Sequence, residues 1–254
     1  MKTYLFPVAL IPLLFFTACN KDDDNSGGDT TKLLSYYTES MYPDTVSFGY
    51  NTNDEIILVE GNEDRQTIDI NGNQLHYIEF RKTENREVAN ATFTMNSEGN
   101  VVSGQGSFSY SIGSPYTSQF TFTYDSQGNL VNRTDTRSDG HTVAYQFTWA
   151  NGDLVKNEWI YNDTLYFTQY YEFNTNVEDK IELDWNKFLM GTNSFFGNNT
   201  KHLVQHSYDV YAPGSTIVHE YNITFNLDSD GYPITSTYTG ISTPSTNVIT
   251  YHYQ

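Results

Sequence analysis

The chain has 254 residues, with 13 Lys and Arg against 31 Asp and Glu and a formal net charge of −18. So acidic a chain lacks the basic patches that nucleic acid and anionic membrane surfaces require, which argues against both as partners. Its single cysteine rules out an internal disulfide or a thiolate metal cluster, while 21 Tyr and 16 Phe provide enough apolar area for one sizeable core.

The chain begins with Lys2, an apolar run from Tyr4 to Phe16, the small residues Thr17 and Ala18, and Cys19. The run is too short to span a bilayer and is interrupted by Pro7 and Pro12. Its layout of basic start, apolar centre and small residues suits a signal peptidase. It resembles a bacterial lipoprotein signal. That resemblance implies removal of residues 1–18 and lipidation of Cys19, whose acyl chains would each bury roughly 0.8 kcal/mol per methylene. Phe16 departs from the usual Leu or Val but is tolerated in Bacteroidetes lipoproteins. There, a Lys followed by acids, here Lys21, Asp22, Asp23 and Asp24, resembles the signal for display on the outer surface. The expected address is therefore the outer membrane, lipid-anchored and facing the exterior. Residues 19–32 are polar and rich in Asp and Gly, with nothing to bury, and read as a flexible tether.

From residue 33 to 254 the pattern has period two. Phe120-Thr-Phe122-Thr-Tyr124, Tyr145-Gln-Phe147-Thr-Trp149, Phe108-Ser-Tyr110-Ser-Ile112 and the stretch Ile217 to Leu227 place aromatic and branched residues on one face and Thr, Ser, Asn and Gln on the other. This is the signature of half-buried antiparallel strands. Turns of one kind punctuate them, at Gly72, Gly99, Gly128, Gly152 and Gly231, each beside Asn or Asp. The glycines fall 27, 29, 24 and then 79 residues apart, and the last gap leaves room for two degenerate copies near Asn174 and Asn198. A repeat of about 25 residues predicts an all-β domain, a meander of hairpins with roughly fourteen strands. Open twisted sheets rarely exceed about ten strands, so the meander is expected to curl into a closed or nearly closed barrel. Its aromatic face would line an interior too wide for the wall's own side chains to fill. Residues 184–199, which break the alternation and are apolar, are candidates for a plug, with an ordinary outer loop as the alternative. A membrane-embedded barrel would instead turn the aromatic face to lipid, but a lipid anchor would then be redundant.

The unit Phe-x-Phe-x-Tyr124-Asp125-Ser-Gln-Gly128-Asn129-Leu130 resembles the YD-type repeats of bacterial shell and toxin proteins. Together with the lipobox and the segments Asp184-Trp-Asn-Lys-Phe188 and Phe195-Phe-Gly197-Asn198-Asn199, the chain resembles a Bacteroidetes surface-lipoprotein family of unknown function with a porin-like fold. The resemblance implies a fold and a compartment, and no reaction.

Signals for chemistry are sparse. Gly-x-Ser-x-Gly, P-loop and dinucleotide motifs are absent from the sequence, and the carboxylates are scattered over turns. No catalytic role and no cofactor are expected. His202, His206 and His219 would share a face if strands 202–211 and 216–227 paired with Tyr211 opposite Thr216, His206 opposite Tyr221 and His219 opposite Tyr208. Two of these histidines would still stand too far apart to chelate one ion, so no metal is expected. Asp29-Thr30-Thr31, Asp44-Thr45-Val46 and Asp163-Thr164-Leu165 resemble a short O-glycosylation sequon of Bacteroidetes. Trp149, Trp159 and Trp185 are the candidate ligand-binding residues, because indole rings stack on sugars. The expected role is non-catalytic binding, with a glycan as candidate ligand. The alternative is a carrier or scaffold for lipid or envelope proteins.

Overall fold

A computed structural model of the protein describes residues 31–41, 44–109, 115–181, 195–212, 216–242 and 244–254. Cys19, Lys21, Asp22, Asp23, Asp24 and Trp185 lie outside the described residues, as does the part of the plug candidate before Phe195. Sixteen antiparallel strands, rather than fourteen, follow one another around a closed barrel. They are β1 (Leu34–Glu39), β2 (Thr45–Tyr50), β3 (Ile56–Glu60), β4 (Asp64–Asn71), β5 (Gln74–Arg81) and β6 (Arg86–Met95). Next come β7 (Val101–Phe108), β8 (Tyr116–Tyr124), β9 (Leu130–Arg137), β10 (Thr142–Ala150) and β11 (Asp153–Tyr161). The last five are β12 (Thr164–Glu178), β13 (His202–Tyr211), β14 (Thr216–Leu227), β15 (Pro233–Gly240) and β16 (Thr246–Tyr253). Each strand pairs with its neighbours in sequence, and β1 closes on β16 through pairs such as Tyr37 with Tyr251. Closure leaves no unpaired edge for another chain to extend.

The meander puts the turns after even-numbered strands at one end of the barrel, the end where residues 32 and 33 enter. Four of these turns share one device. In the turn 125–129, Asp125 Oδ1 accepts the amides of Gln127 and Asn129 at 2.8 and 2.9 Å, and Gly128 adopts φ +85°. The turns 96–100 and 228–232 repeat the pattern with Asn96 and Asp228. The turn 51–55 repeats it with Asn51, but Asp54 takes the positive φ of 60° in place of glycine. That substitution is tolerated because short polar side chains reach the left-handed region more readily than others. The expected degenerate copies are not turns of this kind: Asn174 lies inside the 15-residue β12, and Asn198 lies in the β12–β13 connection.

Lys32 fastens the entry point. Its amide donates to the Tyr232 hydroxyl at 3.1 Å, and its ammonium bridges Asp228 and Asp230 at 2.7 and 2.6 Å. Tyr232 also lies beneath the Lys180 ammonium, 5.0 Å from the ring centroid.

Alternation sorts the wall as expected on β6 and β8, whereas on β14 only Ile223 is buried and the ends of the expected apolar face, Ile217 and Leu227, are exposed. On β8, Ser118, Phe120 and Phe122 are buried while Thr117, Gln119, Thr121 and Thr123 are exposed. On β6, Ala89, Ala91, Phe93 and Met95 are buried between Asn90, Thr92 and Thr94. The interior is packed around two clusters. The larger joins β4 to β11 around Phe93, Phe120, Phe122 and Phe147, and the smaller joins β1, β2, β3 and β16 around Tyr37, Phe48, Val59 and Ile249. The larger also carries charge: Arg133 Nε and Nη2 meet Asp135 Oδ1 and Oδ2 at 2.9 and 2.5 Å, with the guanidinium 4.6 Å from the Tyr145 ring centroid. Burial nevertheless raises the Asp135 carboxyl, with Arg133 opposing.

Burial also pushes up the phenols of Tyr37, Tyr124, Tyr238, Tyr251 and Tyr253, Tyr238 to about 12. In the unfolded chain they would ionise near pH 10, an ordinary phenol value. Stability from the neutral phenols is therefore complete below about pH 10 and is lost as pH rises through the folded values. We expect an alkaline transition above pH 10 in which phenolate absorbance and loss of β-type circular dichroism rise together. Full phenolate absorbance with intact dichroism would contradict this burial.

Candidate functional site: a cavity in the barrel lumen

Sixteen strands enclose more space than their own side chains fill. On the β4–β11 side the phenylalanine cluster takes up the space, helped by Phe195 and Phe196 from the β12–β13 connection, which are 4 % and 0 % exposed. Phe196 meets Phe122 and Phe93 with ring centroids 5.2 and 6.1 Å apart. Asn198 then locks the segment to the 125–129 turn, its side-chain amide donating to the carbonyl of Gln127 at 2.7 Å and to Asn129 Oδ1 at 3.0 Å. Lys201 and His202 are held by Asp153, whose Oδ1 accepts both backbone amides. The described part of the 184–199 segment is thus a plug rather than an outer loop.

On the other side, among the described residues, lies a cavity of about 340 Å³. Aliphatic residues from β13, β14 and β16 form one part of its wall: Leu203, Val204, Ile223 and Ile249. Tyr171, Phe173, Phe225, Tyr238 and Tyr251 supply aromatic surface. Besides the tyrosines, its polar lining residues are Ser207, Thr200, Glu39 and Asp179. Ser236, fully buried behind it, is within 2.9 Å of the Tyr251 hydroxyl and fixes that ring. An apolar enclosure with a few fixed polar groups is the usual form of a small-molecule site.

The tryptophans are positioned differently from an open stacking platform. Trp149 packs against the larger cluster and donates its Nε1 hydrogen to the Leu130 carbonyl at 2.8 Å. Trp159 lies on the inner face of β11, parallel to Tyr145 with centroids 6.3 Å apart and edge-on to Phe167 at 4.9 Å. Its Nε1 is buried without a hydrogen-bond partner among the described residues. Neither lines the cavity.

The histidines do not converge. Tyr211 does pair with Thr216, but a bulge between Asp209 and Val210 shifts the register, so His206 faces Asn222 and His219 faces Asp209. This corrects the expected partners Tyr221 and Tyr208, and puts His206 and His219 on opposite faces of the sheet. His202 Nδ1 instead lies 2.8 Å from Asp153 Oδ2, and His206 Nε2 lies 3.2 Å from Glu220. Among the described residues no group of three His, Cys, Asp or Glu side chains is arranged for a metal. The O-glycosylation-like threonines Thr45 and Thr164 are exposed at the far end of the barrel, whereas Asp29 and Thr30 lie outside the described residues.

Glu39 and Asp179 were not singled out in the sequence. Acids are plentiful in this chain, and only closure of β1 on β16 turns Glu39 toward the lumen, opposite Ile249.

No family model matches the chain, and no curated protein matches it. Solved structures do. A porin-like protein from Bacteroides vulgatus ATCC 8482 superposes with a TM-score of 0.66 at 14 % identity, covering 88 % of this chain and 99 % of that one. A porin-like protein from Bacteroides uniformis ATCC 8492 gives 0.64 at 12 % identity, covering 87 % and 98 %. At such identities the likeness concerns the fold, and the chain has a porin-like barrel.

Proposed function

We propose that this protein is a non-catalytic binding lipoprotein of the Bacteroidetes outer membrane, anchored through Cys19, displayed outward by the Lys21–Asp24 signal, and built on hairpin repeats of YD type. Its barrel stands outside the bilayer and its lumen takes up a small, largely apolar ligand. The observation that carries this reading is the 340 Å³ cavity, walled by aliphatic and aromatic side chains inside a closed barrel. The outer wall supports the placement. Its strands present Thr, Ser, Asn and Gln to the surroundings, as on β6 and β8, the reverse of the apolar band that a membrane-embedded barrel turns to lipid. With Trp149 and Trp159 on the inside, an enclosed apolar ligand suits the geometry better than a glycan stacked on an open surface.

Native mass spectrometry of residues 30–254, which include the whole closed barrel, tests this reading. After incubation with an envelope extract, a discrete added mass that Ile223→Trp abolishes is the expected result. An unmodified mass throughout would overturn it. A second reading, a scaffold for envelope proteins, is favoured by one feature: Leu165, Tyr166, Ile217, Val218 and Ile241, each 38 % to 48 % exposed, gather at the end of the barrel away from the entry of the chain.

A further inference from the structure

The lumenal cavity is acidic as well as apolar. Glu39 and Asp179 both line it, and among the described residues no Lys, Arg or His does. Both carboxylates act on Tyr238 in its wall, adding to the effect of burial on that phenol. Glu39 directs Oε2 to the Asn247 side-chain amide, which donates at 3.2 Å, and this contact fixes the carboxylate at the lumen side of β1. Tyr238, on which Glu39 acts, lines the same cavity, together with Tyr251, Tyr171 and Ser207. A carboxylate in an aromatic enclosure favours one kind of guest. A neutral ligand would desolvate the carboxylate without compensation, an anion would be repelled, and a cation gains both the ion pair and the ring quadrupoles.

We propose that the cavity selects a protonated amine carried on an apolar body, with Glu39 accepting from the ammonium group. The body packs on Leu203, Val204, Ile223 and Ile249, and the Asp179 carboxylate adds attraction at longer range. This inference rests on the lumen being a ligand site, as proposed above, and adds the charge of the ligand.

Octylamine, octanol and octanoate serve as probes, since they share one chain length and differ in charge. Their affinities for residues 30–254 are measured by calorimetry at pH 7 and 150 mM salt, where surface charge is largely screened. Octylamine is expected to bind at least tenfold more tightly than octanol, with octanoate weakest. Glu39→Gln should bring octylamine down to the affinity of octanol while leaving octanol itself unchanged, and Glu39→Asp should keep most of the preference. The exposed Glu63→Gln controls for general attraction to an acidic protein and should change nothing. Octanol binding as tightly as octylamine, or a preference that survives Glu39→Gln, overturns the amine inference while leaving the lumen as a ligand site. Failure of all three probes to bind overturns the inference together with the reading it rests on.

Discussion

Replacing Phe196 by alanine is expected to destabilise the barrel by about 3–5 kcal/mol, the cost of truncating a fully buried phenylalanine. Its ring is 0 % exposed and sits between Phe93 and Phe122 in the larger cluster. The cavity would open at the centre of the lumen, where neighbouring wall side chains are fixed by the sheet and cannot collapse inward. The effect reaches further because the next residue also anchors the plug. Gly197 has φ +80°, and a Cβ there would lie 2.5 Å from the Gly128 carbonyl oxygen and 2.9 Å from the Tyr124 ring. Urea unfolding followed by circular dichroism should show the midpoint of Phe196→Ala falling with little change in slope. A loss below 1 kcal/mol would mean that the 195–199 segment contributes no plug, and that the lumen is closed by other means.

Gly104→Val is the second large effect, expected to cost about 3 kcal/mol, the upper part of the range for overpacking. Gly104 faces the lumen opposite Phe93, and a Cβ at this position would overlap that ring and sit 3.0 Å from the Thr92 carbonyl oxygen. Gly106, two residues on, is as constrained: its Cβ would lie 2.6 Å from that of Ala91. Neither obstacle is a mobile side-chain end, since one is a core ring at 0 % exposure and the other belongs to the adjacent strand. Gly140→Ala provides the contrast. It has φ +86° but open space around it, so only the left-handed backbone is strained, at about 1 kcal/mol. Thermal unfolding of the three variants should rank Gly104→Val and Gly106→Val well below Gly140→Ala. Equal losses would show that turn strain rather than lumenal packing limits stability.

How far the fold could be read in advance depended on how local its causes are. The turns at Gly99, Gly128 and Gly231 were legible because an Asn or Asp oxygen binding amides two and four residues ahead, with glycine fourth in the turn, is a contact within five residues. The turn 51–55 escaped notice because Asp54 replaces the glycine while the same oxygen does the work. The bulge between Asp209 and Val210 left no such trace. It depends on how β13 and β14 twist within a closed barrel, and a shift of one residue moved His206 and His219 to opposite faces. The cavity was less legible still. Glu39, Tyr171, Ile223 and Tyr238 lie on four different strands, and nothing in their sequence neighbourhoods distinguishes them from other inward residues.

By itself the sequence determined the class of the fold, the antiparallel hairpin meander and the identity of the buried face. Period-two alternation and glycine turns act over a few residues, and so many strands with one apolar face have closure as their stable outcome. The tertiary structure decided the count of sixteen, the strand registers, the seating of Phe195 and Phe196 in the lumen, and the cavity beside them. Those features follow from how the first strand meets the last and how unequal side chains share an enclosed volume, contacts between residues as distant as Glu39 and Ile249.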